Sequence, residues 1–243
     1  MTAKHPDEVR GEDNIEAPSN VIANWLEDEQ PRTRMARYGA AQMPTAELLA
    51  LCLSSGLSGE NAVLLSQRLL QQFGGVQALL SAPIQQLMSV RGVGPAKATR
   101  LKAIHELSVR ETEAQLKRSQ SFGEPAAVAT FLRKRLGHLG HEAFGCLFLN
   151  AKNEHIAFEI LFRGSIDRTH VHAREVLKRG LELNAAALIV CHNHPSGNAE
   201  PSQADIGLTR LLFDLLEKVE IRLLDHVVVS TNTWVSLQLR GLL

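Results

Sequence analysis

The chain has 243 residues, 44% of them hydrophobic and 21% charged, with Lys and Arg balancing Asp and Glu at 26 each. That composition suits one large or two small soluble domains with a buried core. The formal net charge of zero excludes a global basic field for nucleic acid.

The three cysteines, Cys52, Cys146 and Cys191, are too few and too widely spaced for a disulfide framework, which favours a reducing compartment. No stretch resembles a signal peptide or reaches membrane-spanning length, so a cytoplasmic location is expected and a membrane partner is not. Residues 1–30 hold eight acids against Lys4 and Arg10, whereas residues 31–118 hold eleven Lys and Arg against five acids. A basic middle beside an acidic start permits a local anionic partner or self-association of the tail.

In chain order, residues 1–24 are polar, contain proline and lack apolar periodicity, and read as a disordered acidic tail. Residues 25–118 read as a helical domain, opening with Trp25-Leu26 and Pro31 to Gly39. Helices are predicted from Thr45 with a stop at Gly56, over Asn61–Phe73 and over Val76–Leu80. Leu87 to Val90, then Gly92-Val93-Gly94-Pro95, then Ala96-Lys97-Ala98 read as a helix-hairpin-helix. The glycines allow a tight turn, and Pro95 suits a first helical position. Amides at that helix start can hold a phosphate oxygen, and Lys97, Arg100 and Lys102 add charge. DNA is therefore a candidate partner through Gly92, Gly94, Lys97, Arg100 and Lys102. The other reading is a packed hairpin whose cations form a solvated face. Residues 108–122 read as the end of this domain and a linker.

Residues 119–243 change character. A helix is predicted over Pro125–Leu136, strands over Phe144–Leu149 and Ile156–Arg163, and a helix over Arg174–Leu183. An apolar strand over Ala185–Val190 leads into a motif, followed by a helix from Ser202 to Val219 and strands over Ile221–Ser230 and Thr233–Leu239. This alternation indicates an α/β domain with a mixed sheet.

The motif is Cys191-His192-Asn193-His194-Pro195-Ser196-Gly197, then Ser202-Gln203-Ala204-Asp205. Strand alternation sends His192 and His194 to one side and Cys191 to the other. Two imidazoles, the Asp205 carboxylate and an open fourth position are the ligand set of a catalytic zinc site. Ser202 to Asp205 equally reads as a helix start, with Ser202 as N-cap and Asp205 at the third position. A second pair, His170 and His172, lacks a suitably spaced acid and reads as loop or helix N-terminus. Ser165, after Gly164, is a pocket hydroxyl or a turn residue. Asp225-His226 lies in an apolar strand, and one of the two is expected to hydrogen-bond a ligand histidine.

His192-x-His194 followed by Ser202-x-x-Asp205 resembles the JAMM (MPN-type) metalloprotease motif. Leu183 to Ala187 leading into His192–Gly197, and Pro31 to Gly39, resemble the RadC family. The resemblance implies an N-terminal all-α helix-hairpin-helix domain and a C-terminal α/β JAMM/MPN (cytidine-deaminase-like) domain. It also implies one Zn2+ per chain on His192, His194 and Asp205, with metal-activated water attacking a peptide or isopeptide carbonyl of a protein substrate. Glu142, ahead of the apolar strand, is its candidate proton carrier, and Ser202 its candidate oxyanion donor, in competition with the helix cap. Asn193 stands where many JAMM proteins carry Ser or Thr, a departure that matches RadC-like sequences. Two other readings stay open: a DNA-associated, repair-type factor, and a metal-stabilised scaffold without turnover.

Overall fold

A computed structural model describes residues 21–119, 124–164 and 171–243. The readings made for residues 1–20, for the end of the linker, for Ser165 and for His170 fall outside the described residues. The chain divides into two compact units, the first comprising residues up to Leu79 with Pro83–Leu101, the second Leu80–Ala82 with Lys102–Leu243.

The first unit is helical: α1 (Pro31–Tyr38), α2 (Thr45–Leu53), α3 (Ala62–Phe73), most of α4 (Val76–Ser81), α5 (Ile84–Met88) and the start of α6 (Pro95–Ser119). Helix α2 stops short of the predicted Gly56, because Ser54 takes the left-handed conformation at φ 67° and its N–H bonds the Ala50 carbonyl. Asn61 caps α3 by accepting from the amides of Val63 and Leu64. Gly92, at φ 89°, makes the hairpin turn where a Cβ would lie 2.8 Å from Leu57 Cδ2.

The cations of this hairpin bond backbone carbonyls, Lys97 and Lys102 half-buried and Arg100 exposed. Lys97 Nζ donates to the carbonyls of Gly56 and Gly92, both at 2.8 Å. Arg100 donates to the carbonyls of Cys52 and Leu53 and to Ser54 Oγ, closing the C-terminal end of α2. Within the second unit, Lys102 Nζ reaches the carbonyls of Leu80, Ser81 and Ala82 at the end of α4. Arg100 and Lys102 thus satisfy orphan carbonyls that helix ends leave, and Lys97 ties two loop carbonyls together. Residues 108–119, predicted to lead into a linker, are the last turns of α6.

The second unit holds a five-stranded mixed sheet in the order β2-β1-β3-β4-β5. Its strands are β1 (Glu142–Leu149), β2 (His155–Gly164), β3 (Ala187–Asn193), β4 (Arg222–Val229) and β5 (Trp234–Ser236). Only β3 and β4 run parallel, and α9 (Gln203–Glu217) supplies the crossover that a parallel pair needs. On one face α7 (Pro125–Leu136), with Val109 and Leu116 of α6, covers Ala143, Leu147, Ile189, Cys191, Val227 and Val229. On the other, α8 (Ala173–Glu182) and α9 cover Phe144, Cys146, Phe148, Leu188 and Val190. Every residue of β3 is buried, as expected of a central strand covered on both faces. Strand β5 is shorter than predicted: Asp225 takes the Ser236 hydroxyl and the Gln238 amide, turning the chain out of the sheet.

Candidate metal centre

The carboxyl end of the central strand β3 and the amino end of α9 meet at one end of the sheet, where open α/β sheets hold their ligands. Because β3 alternates, His192 lies on the α9 face with Val190, whereas Cys191 packs in the core beneath α7. After the strand, His194 N–H bonds the Val229 carbonyl of β4 at 2.9 Å. Gly197, at φ 90°, closes the turn by donating to the His194 carbonyl. The loop then enters α9 through a capping box, Ser202 accepting from the Asp205 amide while the Asp205 carboxylate accepts from Ser202 N–H.

His192, His194 and Asp205 come together, each offering a ligand atom within 4.8 Å of the others. The two Nε2 atoms are 3.0 Å apart. His192 Nε2 lies 3.4 Å from Asp205 Oδ1, and His194 Nε2 lies 3.8 Å from Oδ2. A tetrahedral ion with bonds of about 2.0–2.1 Å would separate its ligands by about 3.3 Å, close to all three values. His192 and Asp205 are buried, and His194 is partly open to solvent.

The protonation pattern suits a cation. His194 Nδ1 faces the Asn198 carbonyl at 2.8 Å, which can only accept, so Nδ1 carries a hydrogen and, in the neutral ring, Nε2 offers its lone pair. Burial alone would raise the Asp205 carboxyl. The adjoining His192 ring, then the Ser202 hydroxyl and amide, outweigh burial and hold it well below the usual carboxylate range. Lone pairs and an anion crowded this closely repel each other without a positive charge between them. The residues present therefore form a group that could bind a metal ion, and it is the only such group among the described residues.

The remaining predicted residues are placed as follows. Glu142 opens β1, on the face that carries Phe144, and Phe144 pairs with His192. Ser202 Oγ donates to Asp205 Oδ2 at 2.7 Å, so its hydrogen is engaged by the carboxylate. His172 is the N-cap residue of α8, matching the helix-start reading. Of the Asp225-His226 pair, it is His226 that meets a ligand histidine, its Nε2 lying 2.8 Å from His192 Nδ1. Burial holds the His226 ring well below its ordinary pKa and pushes Asp225 upward.

Two residues support the site in roles that the motif alone does not assign. Thr209, one turn beyond Asp205, lies 2.6 Å from His226 Nδ1 and donates to the Asp205 carbonyl; its i+4 spacing from a ligand was the available signal. Asn193 accepts from the Ala143 amide and donates to the carbonyls of Leu139 and His141. It thereby ties down both flanks of Glu142. Nothing in the sequence foretold those partners, which are some fifty residues away.

Comparison with known proteins agrees with this arrangement. Residues 122–242 match the RadC-like JAB domain, and residues 22–99 match the UPF0758 N-terminal domain. A UPF0758 protein of Azotobacter vinelandii is 46% identical over 220 residues, covering 90% of this chain and 98% of that protein. One from Leptothrix cholodnii is 49% identical over 214 residues, covering 88% and 96%. One from Pseudomonas syringae pv. syringae is 44% identical over 222 residues, covering 91% and 99%. With a helical N-terminal region, a five-stranded mixed sheet and a His-His-Asp group at the end of its central strand, this chain belongs to the UPF0758 family of proteins with a RadC-like JAB domain.

Proposed function

We propose that this protein is a zinc-dependent hydrolase acting on a peptide or isopeptide carbonyl, with one zinc ion per chain. The observation that carries the reading is the convergence of two Nε2 atoms and one carboxylate, with His194 reachable from solvent. Zinc, when bound, supplies a Lewis acid and lowers the pKa of water towards about 7. His192, His194 and Asp205 hold it. Ser202 keeps Asp205 oriented through two hydrogen bonds to Oδ2. To serve as an oxyanion donor its hydroxyl would have to turn away, so we assign it the orienting role. Glu142 carries a proton from water to the leaving amine, and Asn193 holds the segment from which it projects. Three free cysteines, two of them buried, accord with a reducing cytoplasm.

DNA contact through Gly92, Gly94, Lys97, Arg100 and Lys102 has weaker support, because it must compete with seven internal bonds of the three cations to carbonyl groups.

Elemental analysis of the purified protein tests the foundation. Zinc at one per chain in the parent and none in His194→Ala is expected; equal metal in both would remove the basis of the reading. Glu142→Gln is expected to keep its zinc and lose hydrolysis of peptide and isopeptide substrates by about 100-fold or more. Undiminished cleavage would dismiss Glu142 as the proton carrier.

A further inference from the structure

Three elements meet behind the metal-facing histidines. From β4, His226 is fully buried and turns one ring nitrogen to each of two partners. Its Nε2 lies 2.8 Å from His192 Nδ1 on β3, and its Nδ1 lies 2.6 Å from Thr209 Oγ1 on α9. The Thr209 hydroxyl is also 2.6 Å from the Asp205 carbonyl one turn earlier.

Hydrogen counting resolves this chain in one direction. A carbonyl oxygen only accepts, so the single Thr209 hydrogen points to Asp205 O, and Thr209 Oγ1 must accept from His226. His226 therefore carries its hydrogen on Nδ1. Its Nε2 is left as a lone pair, which accepts from His192 Nδ1–H. In the neutral ring the opposite nitrogen of His192, Nε2, is then the one with the lone pair, on the side of His194 and Asp205. Were the hydroxyl lost, His226 would be free to move its hydrogen to Nε2. His192 would then have to accept at Nδ1 and carry its own hydrogen on Nε2, where it blocks coordination.

We propose that Thr209 and His226 are positioning residues that set the tautomer of His192, so that one hydroxyl on α9 decides which nitrogen β3 presents to the metal. The same hydroxyl also donates to the Asp205 carbonyl, so it touches two of the three candidate ligand residues. This rests on the metal reading above, but the tautomer itself can be read without metal. Groups that orient a ligating histidine are commonly worth about 10–100-fold in metal affinity.

The test uses the full chain with 15N-labelled histidine. In the metal-free parent, long-range 1H–15N correlation is expected to show His226 as the Nδ1–H tautomer. Thr209→Val, which keeps the shape and removes the hydroxyl, is expected to move His226 towards Nε2–H. It should also weaken zinc binding, measured by competition with a chromophoric chelator, by about 10-fold or more. Thr209→Ser should restore both. Finding His226 as Nε2–H in the parent overturns the proposal without needing any variant to fold. So does a folded Thr209→Val protein that binds zinc as tightly as the parent. A parent with the Nδ1–H tautomer that fails to take up zinc refutes the hydrolase reading while leaving this relay supported.

Discussion

Between two histidines that face the metal site, Asn193 points through the sheet to the opposite side. It is fully buried, and its amide makes three hydrogen bonds to the segment that leads into β1. A Ser or Thr could not donate twice and accept once across that span, which gives a physical reason for Asn between the histidines. Asn193→Ala strands a buried amide and two carbonyls, so a loss of about 2–4 kcal/mol is expected in urea unfolding. Because the side chain turns away from the ligands, zinc affinity in competition titrations should stay within about threefold of the parent. An unchanged unfolding midpoint would show that the segment holds itself in place.

At the scale of the element, helix ends account for cations that the sequence left free to bind phosphate. Arg100 satisfies the last carbonyls of α2, and Lys102 those of α4. Burial, the largest influence on each, lowers the pKa of both Lys97 and Lys102. Arg100→Ala is expected to destabilise the helical unit by about 0.5–1.5 kcal/mol in thermal unfolding. Loss of DNA retention with no change in stability would instead restore the surface reading of that side chain. The α9 terminus combines two tasks in one motif. Its capping box also aims the Asp205 carboxylate, so helix stability and ligand orientation depend on the same Ser202.

Across the whole molecule, acid and metal are the two levers on stability. His138, just past the end of α7, is half-buried against His105 of α6. Burial first, then His105 and Lys102, lowers its pKa from 6.5 to about 4. Burial likewise lowers His105 and His155, with Lys102 and Lys134 facing His105 against the opposing charge of Glu106. For His138 the unfolded chain binds a proton below about pH 6.5 that the folded chain refuses until about pH 4. Its contribution is thus complete above pH 6.5 and declines as the pH falls towards 4, with a slope of up to about 1.4 kcal/mol per pH unit. Urea midpoints should fall over that window, and His138→Gln should flatten the slope; an equally steep decline in the variant would assign it to other groups. Zinc at 100 times its dissociation constant should add about 2.7 kcal/mol to stability, read as a raised melting temperature. His194→Ala should abolish that gain. A gain that persists in His194→Ala would place the binding elsewhere.

Much of this protein was already written in local patterns. Strand alternation put His192 and His194 on one side and Cys191 on the other, and α7 occupies the predicted Pro125–Leu136. Ser202 and Asp205 form the capping box that their spacing announced. These features rest on periods of two and 3.6 residues and on caps, which act over a few neighbours and so survive in one dimension. Tertiary structure alone decided what the polar groups hold. Which backbone carbonyls Lys97, Arg100 and Lys102 bond depends on residues as far as 48 positions away. That Asn193 reaches Ala143, and that His226 and Thr209 stand behind His192, follows from the pairing of β1, β3 and β4 and the seating of α9. A hydrogen bond needs its partner within about 3 Å, and only the folded sheet brings those partners there.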